Sequence, residues 1–245
     1  MTGTALVVGG TSGLGRALAG QYAALGWRVV LAGRRPDRVA AVAADLRLRH
    51  RAEVREVVFD ATDPAAPARA APEILAGGAP DVAVFALGDN GAPEAQLDPA
   101  EIARVHATNF GGAAALLAGL LPALRARRGA SIAFLSSVAG DRGRRGNLVH
   151  GSAKAALDAY AQGLRALLHP EGISVTTVKL GWVDTRRAYG LAPPRLALGP
   201  ERAARAVRRA VRRRRDVVYV PWPWRVAMLL LRAIPEPIFK RLPVP

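Results

Sequence analysis

Ala5-Leu6-Val7-Val8-Gly9-Gly10-Thr11-Ser12-Gly13-Leu14-Gly15 runs from an unbroken apolar segment through a glycine-rich turn into a helical pattern. Four apolar residues in a row, without alternation, read as a strand covered on both faces. Gly9 permits the tight turn, and Gly13 and Gly15 let the backbone approach a pyrophosphate at the helix N-terminus. Thr11 and Ser12 offer hydroxyls to phosphate or ribose, and Leu14 sits in the same first helical turn. A glycine cluster alone carries little information. With a strand before it, a helix after it and a position near the start of the chain, it reads as a dinucleotide-binding fingerprint.

Outward from this stretch, short β-type runs alternate with longer helical patterns. The strand candidates are Ala5–Val8, Arg28–Ala32, Arg55–Phe59, Val82–Ala86, Ser131–Leu135, Ser174–Val178 and Val217–Val220. Helical stretches between them include Leu14–Leu25, Pro36–Arg49, Pro99–Arg127, Ser152–Leu168 and Pro200–Arg214. This order predicts an α/β fold: a Rossmann-like, doubly wound parallel sheet of about seven strands with helices on both faces. Residues 1–220 form the dinucleotide-binding domain in this reading, and residues 221–245 a separate apolar and basic tail.

The second strand ends Leu31-Ala32-Gly33-Arg34-Arg35. An acid at this strand end would hold the adenosine ribose 2′-hydroxyl and select NAD. Gly33 takes that place, and Arg34 and Arg35 are cations suited to a 2′-phosphate, so the cofactor expectation is NADPH ahead of NADH. Further along stand Ser136-Ser137-Val138-Ala139-Gly140 and, thirteen residues after Ser137, His150-Gly151-Ser152-Ala153-Lys154. Positions 150 and 154 are four apart on one helix, so their side chains share a face.

Taken together, these stretches resemble the short-chain dehydrogenase/reductases over residues 3–185. The resemblance implies that Ser137 holds the substrate oxygen, that Lys154 binds the nicotinamide ribose, and that Asn109 supports a proton-relay water. It implies adenine contacts at Asp60 and Ala61, a cofactor contact at Gly88, and nicotinamide-side contacts at Val183 and Thr185. The sequence departs from the family pattern at four places, one of them Phe85-Ala86-Leu87-Gly88, where most of the family reads Asn-Asn-Ala-Gly. Val8 stands where threonine is common, Leu180 replaces a proline, and His150 replaces the tyrosine that hands a proton to the incipient alkoxide. An imidazole is shorter than a phenol, so a water bridging to the substrate is one expectation. Lys154 should also depress the imidazole pKa and leave it mostly neutral at pH 7. A slower enzyme, an enzyme of altered chemistry and a silent NADP(H)-binding scaffold all stay open on this reading.

The chain has 245 residues, no cysteine, and a formal charge of +16 from 35 Lys+Arg against 19 Asp+Glu. Disulfide and thiolate chemistry are therefore excluded. No metal-ligand pattern is present, and the charge comes without a nucleic-acid recognition motif, so neither a metal nor nucleic acid is expected. Met1 leads directly into the first strand, which makes the cytoplasm the expected location. The tail, from Pro221-Trp222-Pro223-Trp224-Arg225 to Phe239-Lys240-Arg241, is apolar, aromatic and basic at once. Its apolar core, Val226–Leu231, is far too short for a bilayer span and suits a helix lying in the headgroup region or packed on the protein. With Gly151-Ser152-Ala153-Lys154 and Tyr219-Val220-Pro221, this tail is similar to that of the decaprenylphosphoryl-2-keto-ribose reductases within the family. That resemblance implies reduction of a lipid-linked 2-keto sugar, peripheral membrane contact and a partner flavoenzyme, with a soluble reductase of another ketone or alcohol as the alternative; the wider family implies a homo-oligomer.

Overall fold

The apolar runs pair as parallel strands in the computed structural model of the chain, which describes residues 3–184 and 197–242. The strands are β1 (Thr4–Val8), β2 (Arg28–Gly33), β3 (Val54–Val58), β4 (Val82–Phe85), β5 (Ser131–Ser137), β6 (Ser174–Leu180) and β7 (Val217–Val220). They form one sheet in the order β3-β2-β1-β4-β5-β6-β7. The chain winds outward from β1 in one direction and from β4 in the other, so the two central strands mark the switch point. A crevice opens there beyond the carboxyl ends of the strands.

Period-two alternation sends successive side chains to opposite faces. Ala5, Val7, Val29, Leu31, Val82 and Val84 meet one helical layer: α1 (Gly13–Ala23), α2 (Pro36–His50) and α7 (Pro200–Arg212). Leu6, Val8, Val30, Phe85, Ile132 and Phe134 meet the other: α3 (Ala66–Leu75), α5 (Gly112–Ala126) and α6 (Leu148–Leu168). Phe85 and Phe134 are stacked at 5.1 Å between ring centroids in the second layer. Each fully buried phenylalanine or leucine contributes roughly 1.5–3 kcal/mol relative to an exposed one.

The sequence pattern placed one helix over Pro99–Arg127. The chain instead forms α4 (Pro99–His106), a π-helical turn (Ala107–Gly111) and α5 in succession. This stretch is long and apolar enough to cross a bilayer by length and composition. Here Leu116, Leu117, Leu120 and Leu124 are fully buried in the protein core instead. Helix α6 starts at Leu148 rather than Ser152, so His150 lies inside its first turn. The periodicity also missed α3, which carries Pro67 in its first turn and Pro72 within it. Pro67 lacks only an N–H that has no helical partner, and the burial of Ala70, Ala71 and Ile74 outweighs the break at Pro72.

After β7 the tail forms α8 (Pro223–Ala233) and the single turn α9 (Glu236–Phe239). It docks on the domain through Met228, 2% exposed, and Phe239, 8% exposed. Trp224 sits edge-on to Trp182, 5.2 Å between centroids, directly over the backbone of Gly181, where a Cβ would lie 2.0 Å from the indole nitrogen. The tail is thereby seated on the loop that leaves β6.

Candidate active site

The turn after β1 has no room for side chains. Gly9 has φ +82°, and a Cβ there would lie 2.6 Å from the Ala86 carbonyl oxygen; one on Gly15 would lie 2.3 Å from that of Gly9. The Ser12 side chain caps α1 by accepting the Gly15 N–H at 3.0 Å, which leaves its own hydroxyl hydrogen to donate. Arg16 N–H closes on the Ser12 carbonyl at 2.8 Å. Among the described residues the N–H groups of Gly13 and Leu14 have no such backbone partner, as an anion-binding helix start requires. A dinucleotide pyrophosphate fits this cradle.

Around the turn, Gly33 is buried against Thr11 and Val39, whose side-chain carbons would lie 3.1 and 3.0 Å from an added Cβ. An acid at this position would have to displace them. Arg34 is exposed with no ion pair among the described residues, whereas Arg35 is held by Asp37 at 2.7 Å. Of the two expected cations, Arg34 is thus the one without a competing carboxylate. One carboxylate oxygen of Asp60 accepts both the N–H (3.0 Å) and the hydroxyl (2.8 Å) of Thr62. Ala61 lies against the start of α5, where a Cβ on Gly112 would meet it at 2.5 Å. Val183 is 8% exposed and forms an isolated bridge with Leu198, so its side chain belongs to the core and only its backbone is available to a ligand. Thr185 lies outside the described residues, as does most of the segment that follows it.

The residues expected to handle the proton lie at the carboxyl ends of β4 and β5. Lys154 is 3% exposed, and its ammonium donates to the carbonyls of Leu87 (2.9 Å) and Leu135 (2.8 Å). Gly88 stands beside it: a Cβ there would lie 3.8 Å from Lys154 Nζ. Ser137 ends β5, and its Oγ accepts the Ala139 N–H at 3.1 Å, so its hydrogen is left for a substrate oxygen. Asn109, fully buried in the π-helical turn, grips the backbone of one residue, across two successive peptide groups, with both ends of its amide. Its Oδ1 accepts the Asp89 N–H at 2.6 Å, and its Nδ2 donates to the Asp89 carbonyl at 2.8 Å.

That same carbonyl lies 2.8 Å from His150 Nδ1. A carbonyl oxygen only accepts, so Nδ1 carries the proton and Nε2 carries the lone pair. Asn109 Nδ2 also approaches Nδ1, at the longer distance of 3.3 Å, but with Nδ1 protonated both nitrogens are donors and both point to the Asp89 carbonyl. The imidazole is pushed down to about 4, by burial first and by the charge of Lys154 second. Lys154 therefore acts as expected on His150, although burial is the larger cause. The resting ring is a neutral proton acceptor.

Asp89 had no signal in the sequence, because it contributes a peptide group rather than a side chain. Its carboxylate is held by Arg104 at 3.0 Å. A second polar cluster underlies the site. Lys179 of β6 pairs with Asp141 and, at 2.9 Å, with Asp158 one turn beyond Lys154, while the Tyr219 hydroxyl donates to Asp141 at 2.9 Å.

Residues 3–193 match the family model described as short chain dehydrogenase. The chain is 38% identical over 246 residues to an uncharacterized oxidoreductase of Mycobacterium tuberculosis, covering 99% of this chain and 98% of that protein. It is 36% identical to a serine 3-dehydrogenase of Rhizobium radiobacter, covering 76% of this chain and 74% of that one. Among solved structures, a short-chain dehydrogenase from Sphingobium yanoikuyae in complex with NADPH superposes with a TM-score of 0.81. That match is 24% identical and covers 96% of this chain and 97% of that one, a likeness of fold.

Proposed function

The chain belongs to the short-chain dehydrogenase family of NAD(P)-dependent oxidoreductases acting on CH–OH groups, and from that premise we propose that it interconverts an alcohol and a ketone with NADP(H), using His150 Nε2 as the proton-exchanging atom. The observation that carries this reading is the set of hydrogen bonds converging on Asp89. Asn109 fixes the Asp89 backbone, whose carbonyl fixes the Nδ1–H tautomer of His150, and Lys154 is anchored two residues earlier on Leu87. The nicotinamide, when bound, supplies or takes the hydride. Ser137 donates to the substrate oxygen. In the oxidative direction Nε2 takes the alcohol proton, and the resulting imidazolium keeps its bond to Asp89. In the reductive direction Nε2 must first be protonated, against burial and against Lys154, before it can give that proton to the developing alkoxide. Arg34 supports the choice of NADP(H).

For the substrate, the outward face of α8 favours a lipid-linked compound over a freely soluble one. Trp222, Val226, Leu229 and Leu230 are 72%, 49%, 68% and 65% exposed. Their spacing of four, three and one residues puts them on a single helical face. Arg225, Arg232, Lys240 and Arg241 are exposed on the same segment, an arrangement suited to an anionic membrane surface. Within the alcohol–ketone reading, the substrate we propose is decaprenylphosphoryl-2-keto-erythro-pentose, reduced to decaprenylphosphoryl arabinose for cell-wall arabinan synthesis. A partner flavoenzyme would make the ketone, and the protein would work as a homo-oligomer.

The test is turnover in both directions across pH, for the parent and His150→Tyr, on the keto-lipid and on soluble ketones. The expected parent oxidation rate is flat above about pH 5, and the reduction rate falls about tenfold per pH unit above the imidazole pKa. A tyrosine variant with the parent's profile in both directions would remove His150 from the proton path. Tight NADPH binding without turnover on any substrate would make the chain a scaffold.

A further inference from the structure

Between Ser137 and His150 the chain passes through Asp141-Arg142-Gly143-Arg144 before the short turn Arg145–Asn147 that opens α6. The two arginines of this loop have opposite fates. Arg142 is fully used: its guanidinium donates to the carbonyls of Leu231 (2.8 Å), Arg232 (3.2 Å) and Ile234 (2.6 Å), pairs with Glu236 at 2.9 Å, and lies 3.7 Å over the Phe239 ring. Arg144 has none of this. Its Nε is buried with no hydrogen-bond partner, and it forms no salt bridge with any described residue. The carboxylate whose charge reaches it, Asp141, already serves Lys179 and Tyr219. Residues 185–196 contain no acid, so that segment holds no carboxylate for it either. Burial lowers the Arg144 pKa, and its charge reaches His150, where it adds to that of Lys154.

A partly buried guanidinium without an acceptor carries an uncompensated desolvation cost, and native proteins leave such groups only where something else satisfies them. We infer that Arg144 is the receptor for an oxyanion carried by the substrate, a phosphate, sulfonate or carboxylate close to the carbon that reacts at His150. The planar guanidinium suits this class, because two parallel N–H groups match two oxygens of one anion. The assignment rests on the alcohol–ketone reading for the identity of the site and adds the charge of its substrate. A sugar phosphodiester on a lipid and a small free phosphate ester share this chemistry.

The experiment reads binding separately from turnover. With NADPH saturating, so that the 2′-phosphate site is filled, inorganic phosphate and a short-chain polyprenyl phosphate in detergent micelles are titrated against the fluorescence of Trp182 and Trp224. The expected result is saturable binding that weakens about 10- to 100-fold in Arg144→Leu, the range of one charge-assisted pair, and is partly restored in Arg144→Lys. Because the Arg144 side chain makes no hydrogen bond or ion pair with any described residue, Arg144→Leu should melt no lower than the parent and bind NADPH equally well, a control against misfolding. Loss of binding for both probes marks a general oxyanion receptor, and loss for the lipid probe alone marks a site for the lipid-linked phosphate. Equal affinity of parent and Arg144→Leu for both probes overturns the inference. Failure of turnover with Arg144-dependent binding intact would instead count against the alcohol–ketone reading.

Discussion

His150 is 8% exposed, yet its ring is the kind of group that water protonates readily near neutral pH. Burial and Lys154 hold its pKa near 4 in the folded chain, against 6.5 for the free side chain. Above 6.5 the ring is neutral in both folded and unfolded states and adds no pH dependence. Between 6.5 and 4 the unfolded chain takes a proton that the folded chain refuses, so stability falls as pH falls through this window. The shift corresponds to about 3 kcal/mol. Urea denaturation at pH 7 and pH 4.5 should show this loss in the parent, and His150→Gln should show a shallower slope. Arg34 yields a second prediction at this scale. Arg34→Ala should raise the KM for NADPH about tenfold or more and leave that for NADH nearly unchanged, measured with any accepted substrate. Equal effects on both cofactors would place the 2′-phosphate elsewhere. Gly33, Arg34 and His150 were all legible as single letters. Which ring nitrogen of His150 carries the proton was not, because it depends on the Asp89 carbonyl, sixty-one positions away.

At the scale of elements, the turn from β1 to α1 and the junction of α8 with the catalytic loop behave differently. The turn follows from local chemistry: positive φ at Gly9, a serine cap and a helix start. Gly15→Ala should destabilise the fold by roughly 2 kcal/mol or more, since the new methyl meets the Gly9 carbonyl at 2.3 Å, and should weaken NADPH binding in a fluorescence titration. The α8 junction adds to the Met228, Trp224 and Phe239 contacts one long-range side chain, Arg142, which satisfies carbonyls that the helix end leaves open. In Arg142→Ala, deuterium exchange across Pro223–Phe239 should rise at least tenfold while that of β1 stays slow. Unchanged protection would mean that Met228 and Trp224 suffice to seat the tail. Helix α3 and the π-helical turn were illegible for related reasons. Prolines hid the first, and the second is a one-residue irregularity in a continuous apolar pattern, fixed by the buried amide of Asn109 rather than by propensity.

For the whole molecule, the tail gives the chain two unlike surfaces, one docked through Met228, Trp224 and Phe239 and one presenting Leu229 and Leu230 to the outside. Replacing both exposed leucines by glutamate should cut binding to phosphatidylglycerol vesicles at least tenfold and leave the melting temperature unchanged, as co-sedimentation and thermal unfolding would report. Equal binding would sink the membrane reading of this face. The sequence by itself determined the parallel α/β architecture and the glycine-rich turn, which follow from local periodicity and spacing, and its family resemblance pointed to Ser137, His150, Lys154 and Asn109. Only the tertiary structure decided that Asn109, Asp89 and His150 form one hydrogen-bonded unit, that Lys179 pairs with Asp141 and Asp158, and that Arg144 has no carboxylate partner among the described residues. Such relations set tautomer, charge balance and burial, and they exist only once distant segments of the chain share the ends of β4 and β5. The glycine stretch at residues 9–15 therefore shapes a cradle that a dinucleotide pyrophosphate would fit, while the proton position on His150 beside it is fixed by contacts that no local pattern encodes.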